Sequence, residues 1–353
     1  MIVAIDTETT GVLWQDDAFC VTAAWQDRTY GFSSHFYDIR IQFDREVLID
    51  SISMMAANGA KIVCHNLKFD LQKLLRAGII TPEQVEKIEW HDTMLMAHLL
   101  DENRSRRLKD LAKEVLGEST DEAEVIRAAK RKYKLKPEDG YDKLPIEIVK
   151  PYALKDAEFT YRLFNKLDSQ FPEQLRPVYQ NEINLTMALL DVEATGLEVD
   201  VEYVRQQVKE YGSRIFQAKK KIGTIVGRKV FEDGMLNPRE LETPYVYKNG
   251  KVRTVETKAE AKRRCDATTF NPNSTQQLTQ VFKERGINLE STDKQTLLNL
   301  KDDLAYAIVE LREAMKIRQT YFLGILAERD GNILHGNYRQ NVSSGRMSSL
   351  KGE

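Results

Sequence analysis

Cysteine is scarce in this 353-residue chain. Its three cysteines, Cys20, Cys64 and Cys265, lie far apart and are odd in number, which excludes a disulfide framework and a C-x-x-C metal site. That usage suits a reducing compartment. Long apolar runs are missing too, for none approaches the ~18 to 20 residues of a membrane span. Met1-Ile-Val-Ala-Ile-Asp6 lacks the basic start and cleavage site of a signal peptide. A cytoplasmic protein with no membrane partner is the expectation. Nor is there an excess of one charge, since 52 Lys and Arg meet 54 Asp and Glu for a net −2. Internal repeats and low-complexity tracts are likewise absent.

What remains is 42% apolar and 30% charged residues, the make-up of an ordinary globular chain. At ~150 residues per domain the length suits about two domains, each able to bury its own core. Charge is nevertheless unevenly placed. Residues 213–264 carry 14 basic against 6 acidic side chains, a local +8 that points to a polyanionic partner.

Along the chain, the β-branched run Ile2-Val-Ala-Ile5 and the segments 18–25 and 29–32 predict an opening β-meander. A helix over 44–58, a buried strand Lys61-Ile-Val-Cys64 and a helix over 69–77 closed by Gly78 follow. Helices are expected at 93–100, 107–116 and 151–167, with Pro151 in the first turn of the last and a charged, mobile stretch at 118–139 between them. Together these elements predict an α/β domain over residues 1–172. From 173 to 353 the pattern is mainly helical, with helices over 174–194, 201–226, 274–285 and 302–328. A hairpin-bearing loop at 231–255 interrupts them.

Three segments carry acids in a pattern that suits metal chemistry. In Asp6-Thr-Glu8-Thr-Thr-Gly11, residues i and i+2 of a strand point the same way and present two carboxylates together. Standing alone, that pair is as readily a solvated strand end. His65-Asn66-Leu67-Lys68-Phe69-Asp70 lies where a strand meets a helix, so Asp70 falls in the first helical turn; Asn66 as a cap and Asp70 as a dipole partner is the plain structural reading. His65 reads as a packed residue. Tyr152-Ala-Leu-Lys-Asp156 puts a phenol and a carboxylate one helical turn apart on one face.

In this order the three segments resemble the D-x-E, N-x-x-x-[F/Y]-D and Y-x-x-x-D motifs of DEDD-superfamily exonucleases, tyrosine subtype. Trp90-His-Asp-Thr-Met-Leu-Met-Ala-His-Leu-Leu-Asp101 and Leu108-Lys-Asp-Leu-Ala-Lys113 resemble the inter-motif helices of the proofreading domain in family A DNA polymerases. Leu190 to Asp200, Phe270 to Leu278 and Ser291-Thr-Asp293 are similar to that family's thumb. His335-Gly-Asn-Tyr-Arg-Gln340 and Ser344-Gly-Arg-Met-Ser-Ser349 resemble the duplex-contacting motif that opens its palm. The absence of a 5′-nuclease segment and the insertion at about 227–265 resemble the bacteriophage replicative enzymes.

The resemblance implies a ribonuclease H-like domain, a mixed sheet flanked by helices, followed by a thumb-like helical region and the start of a palm. It implies 3′-to-5′ DNA proofreading by two-metal hydrolysis with Mg²⁺, for which Mn²⁺ can substitute. Asp6, Glu8 and Asp156 would hold the ion that activates water, Asp6 bridging, and Asp70 the second ion. Tyr152 would orient the water. Thr9, Asn66 and Phe69 would meet the terminal nucleotide of a single-stranded 3′ end, and Arg346 a primer-template duplex. A core role for Phe69 and an exposed surface arginine at 346 are the rival readings. Lys219, Lys220, Lys221 and the basic insertion could track phosphates, and a processivity factor fits a replicative role. Nucleotide-transfer acids of the family lie beyond Arg346, where Glu353 is the only acid, so primer extension by this chain is not expected. A ribonuclease D-like RNA-trimming enzyme and a non-catalytic DNA-binding module are the alternatives.

Overall fold

The computed structural model describes residues 1–27, 31–119, 122–137, 139–230, 240–246, 252–255, 257, 259–260, 269–342 and 345–349. Two compact units divide it, Met1–Glu198 with Glu328–Glu353, and Val199–Ala327.

The first unit is built on a five-stranded mixed sheet. Strands β1 (Ile2–Thr9), β2 (Ala18–Asp27) and β3 (Gly31–Asp38) form the antiparallel meander. After helix α1 (Gln42–Ala57), β4 (Lys61–Cys64) returns parallel to β1. Helix α2 (Leu67–Arg76), the single turn α3 (Pro82–Val85) and β5 (Glu89–Asp92) complete the order β3-β2-β1-β4-β5. Helices α4 (Thr93–Leu100), α5 (Leu108–Leu111) and α6 (Glu122–Lys132) lead to the long α7 (Ile146–Gln170), which packs on β1 and β2. Val3, Ile5, Ile62, Leu71, Leu163 and Phe164 are among the buried side chains of its core.

Several expectations are corrected. The segment 118–139 contains α6, whose Ile126 and Ala129 are buried with Phe19, Phe36 and Leu144. The run from Trp90 starts as an edge strand, where Trp90 and Asp92 are buried in alternation. Pro151 sits inside α7 and not in its first turn, the helix starting at Ile146 and already burying Val149 fully ahead of the proline. Helix α8 (Arg176–Thr195), placed after residue 172 in the thumb-like region, belongs to the first unit, since Tyr179, Ile183 and Leu190 join the sheet's core. The terminal segment also returns to this unit, where Ile333–Leu334 pairs with β6 (Leu197–Glu198). There Gly196 is needed: φ is +60°, and a Cβ would stand 2.9 Å from the carbonyl oxygen of Leu334.

The second unit packs α9 (Val201–Val226) against the helices Thr275–Glu284 and Asp303–Lys316 around Ile222, Phe270, Leu278, Phe282, Leu297 and Ile308. Asp200, Ser274, Asp293 and Asp302 each cap a helix with a side-chain oxygen. The last helix turns π-helical over Ile317–Leu323, so the expected 302–328 helix is not uniform. Within the expected loop, β7 (Glu240–Val246) and β8 (Val252–Val255) do pair antiparallel. Most of the basic 227–265 insertion, Cys265 included, lies outside the described residues, and Cys20 and Cys64 are free and buried. Among the described residues no helix is long and apolar enough to cross a membrane.

Candidate active site

Asp6 and Glu8 occupy alternate positions of β1, and a register shift between Glu8 and Thr9 bends the strand where it leaves the sheet. On the neighbouring α7, the Thr22 hydroxyl donates to the carbonyl of Ala153 at 3.1 Å and fixes the turn that carries Asp156. An oxygen from each of Asp6, Glu8 and Asp156 lies within 4.8 Å of the others. The helix therefore brings Asp156, distant in sequence, to the pair of carboxylates at the sheet end.

Asp70 is not in that group of three, but its charge reaches Asp6. It is buried in the first turn of α2, where its Oδ1 accepts from the Thr7 amide at 3.2 Å and the Thr7 hydroxyl at 2.7 Å. Its buried Oδ2 has no partner among the described residues.

Burial, then the neighbouring carboxylates Asp70, Glu8 and Asp156, push Asp6 well above the usual carboxylate range. Burial followed by Asp156 pushes Glu8 up to about 8. Asp70 is also pushed to about 8, by burial that outweighs its two Thr7 hydrogen bonds. Acids crowded in this way are relieved by a cation. An all-oxygen donor set with an unpartnered buried oxygen beside it fits a hard divalent ion, Mg²⁺ or Mn²⁺.

Tyr152 precedes Asp156 by one turn of α7, its ring edge-on to Tyr141 at 5.6 Å. Burial and then Asp156 push its phenol up, so it keeps its proton and can donate it in a hydrogen bond. Thr9 spends its hydroxyl on the carbonyl of Gly11 at 2.6 Å, inside the turn that follows β1. Asn66 stands at the N-cap of α2 in the left-handed region, φ 81°, without a side-chain cap bond. The side chain of that motif's asparagine is thus left out of the capping role. Phe69 is half-buried, with the Lys73 ammonium 5.3 Å from its ring centre. Arg346 is exposed on a cavity of about 570 Å³ that Leu95, His98 and Glu182 also line and none of the four carboxylates does. His65 is structural, bonded to the Thr93 hydroxyl at 2.8 Å and the Arg106 carbonyl at 2.9 Å.

Sequence reasoning missed four partners. Buried Asp92 accepts from the amides of Asn66, Leu67, Met94 and Leu95, capping α2 and α4 together. An acid just before a helical run was its signal. Lys73, wholly buried, donates to the carbonyls of Leu13 at 2.6 Å and Asp16 at 2.8 Å, and burial lowers it to about 8. Lys68 pairs with buried Glu193, whose carboxylate also accepts from the Tyr338 amide. Lys109 pairs with Asp156. Lysines aimed inward leave no periodic trace that separates them from solvated ones.

The family model of 3′–5′ exonuclease domains of the DNA polymerase A type matches residues 2–172. The DNA polymerase of Escherichia phage T5 is 28% identical over 313 residues, covering 82% of this chain and 33% of its own length. DNA polymerase DpoZ of Vibrio phage phiVC8 is 25% identical, covering 95% of this chain and 54% of the relative. DNA polymerase I of Pseudomonas aeruginosa is 26% identical, with 99% and 36% covered. The chain thus spans between a third and about half of the length of these relatives. A solved structure, the POL domain of Pol1 from M. smegmatis with DNA primer-template and dNTP, superposes with a TM-score of 0.57 at 17% identity, over 99% of this chain and 50% of that one. It shares the fold. Carboxylates, sheet and relatives agree, and residues 2–172 belong to the 3′–5′ exonuclease domains of family A DNA polymerases.

Proposed function

We propose that this chain removes nucleotides from the 3′ end of DNA, as the proofreading portion of a family A polymerase of the phage type, by two-metal-ion hydrolysis. The convergence of Asp6, Glu8 and Asp156 carries the reading. In it, Asp6, Glu8 and Asp156 would hold one divalent ion and Asp70, whose buried Oδ2 has no partner among the described residues, would hold the second. Bound there, the ions supply a nucleophilic hydroxide and neutralise charge on the phosphate.

The protein's own groups do the rest. Tyr152, protonated and beside Asp156, orients the attacking water by hydrogen bonding. Burial on β1, α2 and α7 keeps the carboxylates preorganised, so little rearrangement accompanies the reaction. Asn66, whose side chain is not spent on capping, and Phe69 border Asp70 and serve the terminal nucleotide. Thr9 holds the turn that shapes the site's edge, and Arg346 meets duplex. The thumb-like reading of the second unit and phosphate tracking by Lys219, Lys220 and Lys221 belong to the same proposal.

DNA as substrate is supported by relatives that are DNA polymerases. The test is degradation of 3′-labelled single-stranded DNA and RNA of one sequence, with and without Mg²⁺. Mg²⁺-dependent loss of DNA from the 3′ end is expected. Preferential trimming of RNA would support the ribonuclease D-like alternative, and binding without hydrolysis the silent module.

A further inference from the structure

Asp6 and Glu8 feel the carboxylates of Asp70 and Asp156 and one opposing cation, Lys109. Lys109 extends from the four-residue helix α5, held in place by buried Leu111 and Ala112. Its ammonium pairs with Asp156 Oδ1, lies 4.4 Å from the centre of the Tyr152 ring and 5.1 Å from that of Phe159. A protein cation thus occupies a carboxylate oxygen of the group that fits a divalent ion.

We propose that Lys109 is a resident counter-ion of the site, holding Asp156 while no divalent ion is bound and yielding that carboxylate when one binds. This deepens the reading of Asp6, Glu8 and Asp156 as metal ligands and rests on it. Two like charges cannot share one carboxylate at full strength, so an ion entering the group must work against the ammonium. Lysine suits the part, being a compact charge on a flexible four-carbon stem. The Tyr152 ring, already 4.4 Å from the ammonium, keeps hold of it by cation–π attraction once the carboxylate is given up. Lys109 is then a positioning residue that keeps Asp156 in place and sets the metal concentration at which the site fills.

Calorimetric titration with Mn²⁺, without DNA, tests this on the wild type and on Lys109→Met, Lys109→Arg and Asp6→Asn. Lys109→Met is expected to bind Mn²⁺ about tenfold more tightly, since one unit of repulsion beside a dication is gone. Lys109→Arg should stay near the wild type. A folded Lys109→Met protein that binds Mn²⁺ no more tightly overturns the inference while leaving the metal site standing. If Asp6→Asn binds as well as the wild type, the ligand reading itself is wrong and this inference falls with it. Should Lys109→Met not fold, the wild type labelled with ¹³Cε-lysine serves, the Lys109 signal being identified by its loss in Lys109→Arg. That signal must move as Mg²⁺ is added, and a stationary signal contradicts the proposal.

Discussion

In the unit Val199–Ala327 the described buried side chains are apolar apart from Thr269. The unit Met1–Glu198 with its returning terminal segment instead buries Glu8, Asp70, Lys73, Asp92, Asp156 and Glu193. Burying a charge is costly unless it is paired. Some of these groups are paired in full: Asp92 holds four amides, Lys73 three carbonyls, and Glu193 both Lys68 and the Tyr338 amide. Asp6, Glu8 and Asp70 are different, facing one another with raised proton affinity and an oxygen left over. Buried charge by itself marks architecture. Buried like charge without enough partners marks the chemistry.

The largest effect that can break this contrast is on hydrolysis. Asp6→Ala, Glu8→Ala or Asp156→Ala should each lower 3′-to-5′ degradation by about 10³-fold or more, because each removes a ligand from ions that stabilise the reaction by several kcal/mol. Binding of single-stranded DNA, followed by fluorescence anisotropy, should change little. Near-normal hydrolysis by Asp6→Ala would place the chemistry elsewhere. Tyr152→Phe should cost less, about 10²-fold in rate, the lower end for a positioned proton donor. A variant as inactive as Asp156→Ala would give Tyr152 a larger role than orienting water.

The opposite arm of the contrast is Phe282→Ala in the second unit. Phe282 is fully buried among apolar neighbours, so its truncation should cost about 3–5 kcal/mol in urea unfolding. The hydrolysis rate of the folded protein should stay within about twofold, and a larger fall would tie that core to the site.

The smallest effect is a pH dependence. Glu8 and Asp70 have folded pKa values raised to about 8, so the metal-free folded state binds more protons than the unfolded chain between their ordinary range and pH 8. Their stabilising protonation is complete at low pH and is lost as the pH rises towards 8. Melting temperature of the metal-free protein should therefore drift down from pH 5 to pH 8, and Mg²⁺ should recover more of it at pH 8 than at pH 5. An Mg²⁺ effect that shrinks with pH would show that protons and the ion do not compete for these groups.

The sheet and its acids were readable because their signals are local. Apolar runs marked β1 and β4, the i, i+2 and i, i+4 spacings placed Asp6 with Glu8 and Tyr152 with Asp156, and the motif order joined them. Contacts set by tertiary packing were not readable. Strand β5 is four residues long and mostly polar, so only its pairing with β4 and the burial of Trp90 and Asp92 define it. The packing of α8 on the sheet side of residue 172 depends on Tyr179 reaching the Asp92 amide at 2.8 Å, a contact spanning 87 residues. Lys109 is one basic residue among 52, and only the position of its ammonium at Asp156 separates it from the rest.

Diffraction from crystals soaked in Mn²⁺, recorded at the manganese absorption edge, tests most directly whether the crowded carboxylates are a metal site. The account predicts anomalous density among Asp6, Glu8 and Asp156, with a second peak beside Asp70, at Mn²⁺ concentrations that support hydrolysis. Density elsewhere, or none among these carboxylates at those concentrations, would contradict it.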